Sequence, residues 1–175
     1  MADALTLDTA KQFLRYDDTD QDAVLAIALA AGQEWVERYT GLLLTQREVT
    51  QAFPRFCGTL PLIYGPVLAD SATINYVATD GTASTAESRM IVTDSAGRAT
   101  LWPLSGAQWP IADETGLSIT YTAGYATPDD VPAGLLHAML VYAGAFDDLR
   151  NGQDMTAAMN ACFALIAPYR GPAFA

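Results

Sequence analysis

The sequence predicts an α+β protein in which a helical body carries a small antiparallel β module between its helices. Segments 7–41 and 132–167 repeat apolar residues at helical spacing. Segment 42–125 between them consists of short β-like runs separated by turn residues, and segment 168–175 is predicted to be an extended arm. A chain of 175 residues has the length of one domain, so we expect residues 1–175 to form a single domain.

The N-terminal segment predicts two helices. Thr6 is a suitable N-cap for a short first helix. Thr19 and Asp22 have the spacing of a capping box, which predicts that a long second helix begins near residue 20. This helix is expected to continue to residue 40 and to end at Gly41, since glycine readily adopts the left-handed conformation that ends helices.

The long helix carries two apolar stripes. The first consists of Val24, Ile27, Ala28, Ala31, Trp35 and Tyr39. The second consists of Leu25, Leu29, Gly32 and Val36. One stripe is explained by ordinary core packing, whereas two predict a helix buried on more than one side. The second burial is expected either within the domain or against another subunit.

The middle of the chain predicts roughly six short strands. They are expected at 46–53, 59–63, 73–78, 90–93, 99–102 and 117–122, with a further short run at 82–84. Asp80-Gly81 between the apolar run 74–77 and Thr82 is a strong signal for a hairpin turn. These strands form the predicted β module.

The C-terminal segment predicts two more helices and an arm. Pro132 is placed at the first position of a helix that Asn151-Gly152 ends. A last helix is expected from about residue 155 to residue 166, ended by Pro168. The residues after Pro168 are too few to build a core, which predicts an arm.

Composition excludes several classes of function. Only 17% of residues are charged, against about 25% in average proteins, and this favours a surface partly covered by neighbours. The net charge is −11 and no cluster of Lys or Arg occurs, so binding to the phosphate backbone is not expected. Cys57 and Cys162 lie far apart and predict reduced thiols, not a disulfide or zinc site. With no apolar run of membrane-spanning length and no basic leader, we expect synthesis in the cytoplasm and no membrane contact.

The sequence offers little that could carry chemistry. Asp18, Asp20 and Asp22 begin like a calcium-binding loop, but Ala23 stands where its glycine is required. His137, the single histidine, is accompanied by no nucleophile motif and is expected to be a packed or boundary residue. The pair at 147–148 diverges by about 100° on a helix and is expected to be solvated. The two Trp-Pro pairs, at 102–103 and 109–110, could stack a sugar or base, but core or interface packing is favoured. We therefore predict no catalytic, cofactor or metal site.

In its ordered set of short motifs, the sequence resembles the phage head–tail connector proteins often called gp6-like, or phiE125 gp8-like. The resemblance is carried by the opening segment 5–15, by Asp20-Gln21-Asp22 and by the end of the long helix through residue 46. The similarity continues through 60–62, 74–77, Trp109-Pro110, 119–125, Val131-Pro132 and 168–170. It covers nearly the whole chain, and the acidity and the residues after Arg170 depart from the family's pattern.

The resemblance implies a structural role. Such proteins form a ring of about a dozen copies beneath the portal, in the head–tail neck of a virion or phage-like particle. The ring extends the DNA channel, and it offers a docking surface to stopper and tail-side proteins. Phages, prophages and gene-transfer agents use this part alike. Another virion component, such as a tail-completion or minor capsid protein, is an alternative, as is an unrelated enzyme or ligand-binding domain.

Three sets of residues are candidates for contacts. Leu25, Leu29 and Val36 are the predicted stripe between subunits, with the subunit's own core as the alternative. Tyr169, Arg170 and Phe174 are the predicted portal-contact arm, with a frayed terminus as the alternative. The acids of 17–22 and 147–148 are candidates for a channel wall that repels passing DNA, unless they merely keep an apolar protein in solution.

Overall fold

A computed structural model describes residues 4–16, 19–104, 108–111, 116–150, 152 and 154–171, without the side chains of 147, 148 and 150. The chain divides into two compact units. Met1–Thr45 and Tyr125–Ala175 form the helical unit, and Gln46–Gly124 form the β unit. Helices on both sides of a block of antiparallel strands confirm the predicted α+β class. The assignment of 1–175 to a single connector domain stays a prediction.

The helical unit contains four α-helices in its described part. They are α1 Leu7–Leu14, α2 Asp22–Thr40, α3 Ala133–Arg150 and α4 Thr156–Ile166. The Thr6 hydroxyl accepts a hydrogen bond from the amide of Thr9 at 3.2 Å, so the predicted cap of α1 is confirmed. Gly41 ends α2 with a φ of 69° and donates its amide to the Glu37 carbonyl, as predicted. None of the described helices has the length and apolarity needed to cross a membrane.

The start of α2 differs from the prediction. The helix begins at Asp22 with Gln21 as its N-cap, and no side chain caps it. The capping box expected of Thr19 and Asp22 is therefore wrong. The Asp22 carboxylate instead accepts a hydrogen bond from the Lys11 ammonium at 2.7 Å. This ion pair joins α1 to the first turn of α2, where a negative charge is also favoured by the helix dipole.

The β unit contains seven strands in its described part, one more than the rough prediction. They are β1 Arg47–Phe53, β2 Leu60–Pro61, β3 Thr73–Val77, β4 Ala83–Ala86, β5 Ser88–Val92, β6 Ala99–Pro103 and β7 Leu117–Ala123. A four-stranded sheet has the order β1-β7-β3-β4 and a three-stranded sheet the order β2-β6-β5. Every pairing is antiparallel. Alternate residues of β7 are buried, which is the pattern of a strand with one face on a core.

Two turns of the β unit are set by local hydrogen bonds. At the predicted hairpin, the Asp80 carboxylate accepts from the Thr82 amide at 2.9 Å, and Gly81 has a φ of +84°. Between β5 and β6, the Asp94 carboxylate accepts from the Arg98 amide at 3.0 Å and from the Arg98 guanidinium at 2.6 Å. Burial opposes the charge on Asp94, but the bonds from Arg98 and Ala96 outweigh it and hold its pKa below the ordinary value.

The C-terminal arm begins later than predicted. Ala167–Tyr169 form a 3-10 turn that continues α4, so Pro168 lies within that turn. Proline has no backbone N–H, and it is tolerated here because the amides in the first turn of a helix donate no hydrogen bond within that helix. The arm that is free of helix therefore starts at Arg170.

Candidate interaction surface of the helical unit

The stripe of Leu25, Leu29 and Val36 lies inside the helical unit. These side chains are 4%, 7% and 0% exposed, and the two leucines pack with buried residues of α1 and α3. The structure thus corrects their assignment to a contact between subunits and places them in the subunit's own core, the alternative left open above. Gly32 permits this packing, since an added Cβ there would stand 3.1 Å from the carbonyl oxygen of Met139 on α3.

Solvent reaches the other stripe of α2 except at Ala28, which is 5% exposed and packs in the core with Leu25. Ile27 is 70% exposed, and Val24 and Tyr39 are each 42% exposed. Residues three or four apart lie on the same side of a helix, so these side chains and Trp35 form one row. From Val24 to Tyr39 the row is about 22 Å long at 1.5 Å per residue. Sequence periodicity finds both stripes of α2 but does not distinguish the buried stripe from the exposed one.

Aromatic rings from three helices widen this row into a surface. The Trp35 ring lies 4.8 Å from Tyr39, 5.4 Å from Tyr142 of α3 and 5.3 Å from Phe163 of α4, measured between centroids. Phe146, one turn after Tyr142, is 5.8 Å from it. Phe146 and Phe163 are each 37% exposed. We name this surface the aromatic face and define it as Ile27, Trp35, Tyr39, Tyr142, Phe146 and Phe163.

The aromatic face is bordered by one negative and one positive side chain. Glu34 and Arg38 are exposed and line an open groove together with Trp35, Tyr39 and Tyr142. Neither Glu34 nor Arg38 has an ion pair or hydrogen bond within the described part of the chain. Among the described residues that line this groove, the two charges offset each other, although the whole protein has a net charge of −11.

Glu37, on another side of α2, is a buried acid that sequence reasoning missed. It is 7% exposed, and its carboxylate accepts hydrogen bonds from the Leu44 amide at 2.9 Å and from the Gln33 side chain at 3.0 Å. Leu42, Leu43 and Leu44 after the helix are at most 1% exposed. Glu37 therefore ties the buried segment after α2 back to the helix. No sequence signal distinguishes it from Glu34, because both read as helix-surface acids.

The two described residues of the predicted arm, Tyr169 and Arg170, have different environments. Tyr169 is half-buried beside the first turn of α3, where a Cβ added to Gly134 would lie 3.2 Å from the tyrosine hydroxyl. Arg170 is exposed, and its backbone amide donates a hydrogen bond to the Ala167 carbonyl at 3.4 Å. Phe174 lies outside the described residues. Tyr169 thus packs on its own subunit, which leaves Arg170 as the described part of the arm that faces solvent.

The predicted acidic channel residues are only partly described. Asp20 is exposed, whereas Asp22 is held by Lys11. Asp17 and Asp18, and the side chains of Asp147 and Asp148, lie outside the described part. The lining of the channel therefore stays a prediction.

No arrangement for chemistry occurs among the described residues. They contain no group of three or more His, Cys, Asp or Glu side chains that could hold a metal ion. His137 is exposed and lies edge-on to the Phe13 ring at 5.9 Å. Burial raises the pKa of the Cys162 thiol, which makes it a poor nucleophile, and Cys57 is an exposed thiol.

The Trp-Pro pairs of the β unit differ in environment. Trp109 stacks on Phe56 at 5.1 Å and its indole N–H reaches the Gly58 carbonyl at 3.4 Å, so it is packed within the unit. Trp102 is 39% exposed on β6. Packing is therefore the role of Trp109, as predicted.

The fold is shared with proteins found in the neck of phage-like particles. One chain from the neck of an empty gene-transfer-agent (GTA) particle, computed with C6 symmetry, is 22% identical with a TM-score of 0.77. That alignment covers 100% of this chain and 95% of the other. A chain from the neck of the native GTA particle, computed with C12 symmetry, is 24% identical with a TM-score of 0.74 over 100% and 94% of the two chains. A chain from the native GTA virion is 24% identical with a TM-score of 0.79, covering 98% and 92%.

The sequence match is more specific and shorter. Residues 4–60 match the model of the family described as phage gp6-like head–tail connector protein. The match spans α1, α2 and β1, and it confirms the resemblance to this family. A search of curated proteins found no match.

Proposed function

We propose that this protein is a head–tail connector, or adaptor, subunit that forms a ring under the portal in the neck of a phage or phage-like particle. The observation that carries the proposal is the agreement of two independent comparisons. The connector family matches residues 4–60, and chains from two GTA neck structures share the fold over 100% of this chain. The ring extends the DNA channel and presents a docking surface to stopper and tail-side proteins.

The absence of a site for chemistry among the described residues agrees with a structural role. The role needs stable faces toward neighbours, and two of the neck structures that share the fold were computed with sixfold and twelvefold symmetry. A closed ring requires two different, complementary patches on each subunit.

The experiment is electron microscopy of particles from a host in which this gene is deleted and then restored. Deletion is expected to give filled heads without tails, and restoration to give tailed particles. In restored particles, a tag on the protein should mark a ring in the neck. A tag found on the tail tip or on the capsid surface would instead make the protein another virion component, and would refute the connector role.

We also propose that the arm contacts the portal through Arg170 and 171–175, without Tyr169. Because Tyr169 packs beside Gly134, its loss should weaken the helical unit, whereas the loss of Arg170 and of 171–175 should not. Arg170→Ala combined with deletion of 171–175 is expected to leave the melting temperature unchanged and to yield heads without tails. Tailed particles at the wild-type yield would show that the arm does not contact the portal.

A further inference from the structure

We infer that the aromatic face is the surface by which one copy of this chain contacts the next copy in the ring. The inference rests on the proposed function and names the face that serves one of its contacts. The prediction of a second burial for α2 against another subunit is thereby kept, but it moves from the Leu25 stripe to the adjacent stripe that contains Ile27 and Trp35.

The size of the aromatic face fits a contact that is too weak to hold a single pair of copies together. Its row on α2, from Ile27 to Tyr39, is about 18 Å long at 1.5 Å per residue, and adjoining helices lie about 8–10 Å apart, so two helix widths give an area on the order of 300 Å². The largest apolar patch on a typical monomer is about 300–600 Å² and is often functional. A stable pair of proteins, however, buries about 800 Å² on each partner. The face is thus suited to a closed ring, in which each copy has two neighbours and a template raises the effective concentration.

Charge favours a second copy as the occupant. Two chains of net charge −11 repel each other over most of their surfaces. Among the described residues that line the groove of the aromatic face, Glu34 and Arg38 carry opposite charges, so a second copy that approaches this groove meets no net negative charge there. A nucleic acid or an anionic membrane would need a cluster of cations, and Arg38 is the one cation lining this groove in the described part.

The central ring is held in place before any partner arrives. Trp35 is half-buried and is packed against Tyr142 and Phe163 from two other helices. Side chains that are already immobilised lose little conformational entropy on association. A rigid tryptophan surrounded by exposed apolar residues is a common composition of the centre of an interface.

The test uses two aspartate substitutions at isoleucines of similar exposure. Ile27 is 70% exposed within the aromatic face, and Ile111 is 80% exposed in the β unit. Self-association of the purified full chain is measured by sedimentation equilibrium up to millimolar concentration, and folding by circular dichroism. We expect weak association of the wild type, at least tenfold weaker association of Ile27→Asp, and wild-type association of Ile111→Asp. A wild type that stays monomeric throughout, or two variants with the same effect, would overturn the inference.

A second measurement separates this inference from the proposed function. The variants are placed in particles, and the necks are imaged. Ile27→Asp is expected to give necks that lack a complete ring, and Ile111→Asp to give normal necks. Complete rings of Ile27→Asp would refute the inference that the aromatic face is the contact between copies, and would leave the connector role intact. Complete rings that fail to bind tails would show that the aromatic face contacts a different neck protein. A wild type that is absent from the neck would refute the connector role itself.

Discussion

Replacement of Glu37 by alanine should destabilise the helical unit far more than the same replacement of Glu34, one turn earlier on α2. Glu37 is 7% exposed and accepts hydrogen bonds from the Leu44 amide and the Gln33 side chain, whereas Glu34 is exposed. A hydrogen bond to a charged group contributes about 1.5–3 kcal/mol, and a weaker, part-exposed one about 0.5–1 kcal/mol. Glu37→Ala is therefore expected to cost about 2–4 kcal/mol.

The measurement is urea denaturation followed by circular dichroism at the helical signal. Glu34→Ala should change the free energy of unfolding by less than about 0.5 kcal/mol, because it removes a solvated side chain. Glu37→Gln retains an acceptor for the Leu44 amide and should lie between the two. A loss below about 1 kcal/mol for Glu37→Ala would refute the reasoning, since that would mean that the Leu44 amide finds another partner at little cost.

Three further predictions follow from charge and burial. The pKa of Asp94 is lowered on folding from its ordinary value of 3.8, so the stability it contributes is present above that value and is lost as the pH falls through the folded pKa. Acid denaturation of Asp94→Asn, followed by near-ultraviolet circular dichroism, should accordingly show a smaller fall in stability below about pH 4; an unchanged acid transition would contradict the role of Asp94. Cys57 is expected to react with a thiol reagent at once and Cys162 only on unfolding, because the one is exposed and the other is buried with a raised pKa; equal rates for both thiols would show that α4 opens readily. The purified protein is expected to bind no duplex DNA in a fluorescence-anisotropy titration, even at low salt where attraction to phosphates is strongest, because its net charge is −11; measurable, salt-sensitive binding would show a basic surface that composition conceals.

The channel wall is a separate expectation that the assembled ring must decide. Carboxylates should outnumber Lys and Arg on the wall, since an acidic wall repels the duplex and lets it slide. A neck structure at side-chain resolution would allow the carboxylates and the Lys and Arg side chains on the wall to be counted. A ring of basic side chains on the wall would contradict the prediction that the wall repels DNA.

Features that depend on neighbouring residues alone were determined by the sequence. The Asp80-Gly81 hairpin, the Thr6 cap and the Gly41 end of α2 each satisfy backbone groups within a few residues, so local chemistry suffices. The α+β class followed for the same reason, because helical and strand periodicities are properties of a single segment. The family resemblance was also in the sequence, in the segment that the connector family matches.

The tertiary structure alone decided which side of each element is inside. Periodicity places two apolar stripes on α2 but does not indicate which of them is buried. The close approach of α3 at Gly32 buries the stripe that contains Leu25. The Lys11 ammonium, eleven residues away, takes the carboxylate of Asp22 that a capping box would have used. Glu37 and Tyr169 likewise acquire their roles from partners distant in sequence, Leu44 after the helix and Gly134 on α3. Burial and long-range pairing depend on how whole elements pack, and no local pattern of residues contains that information.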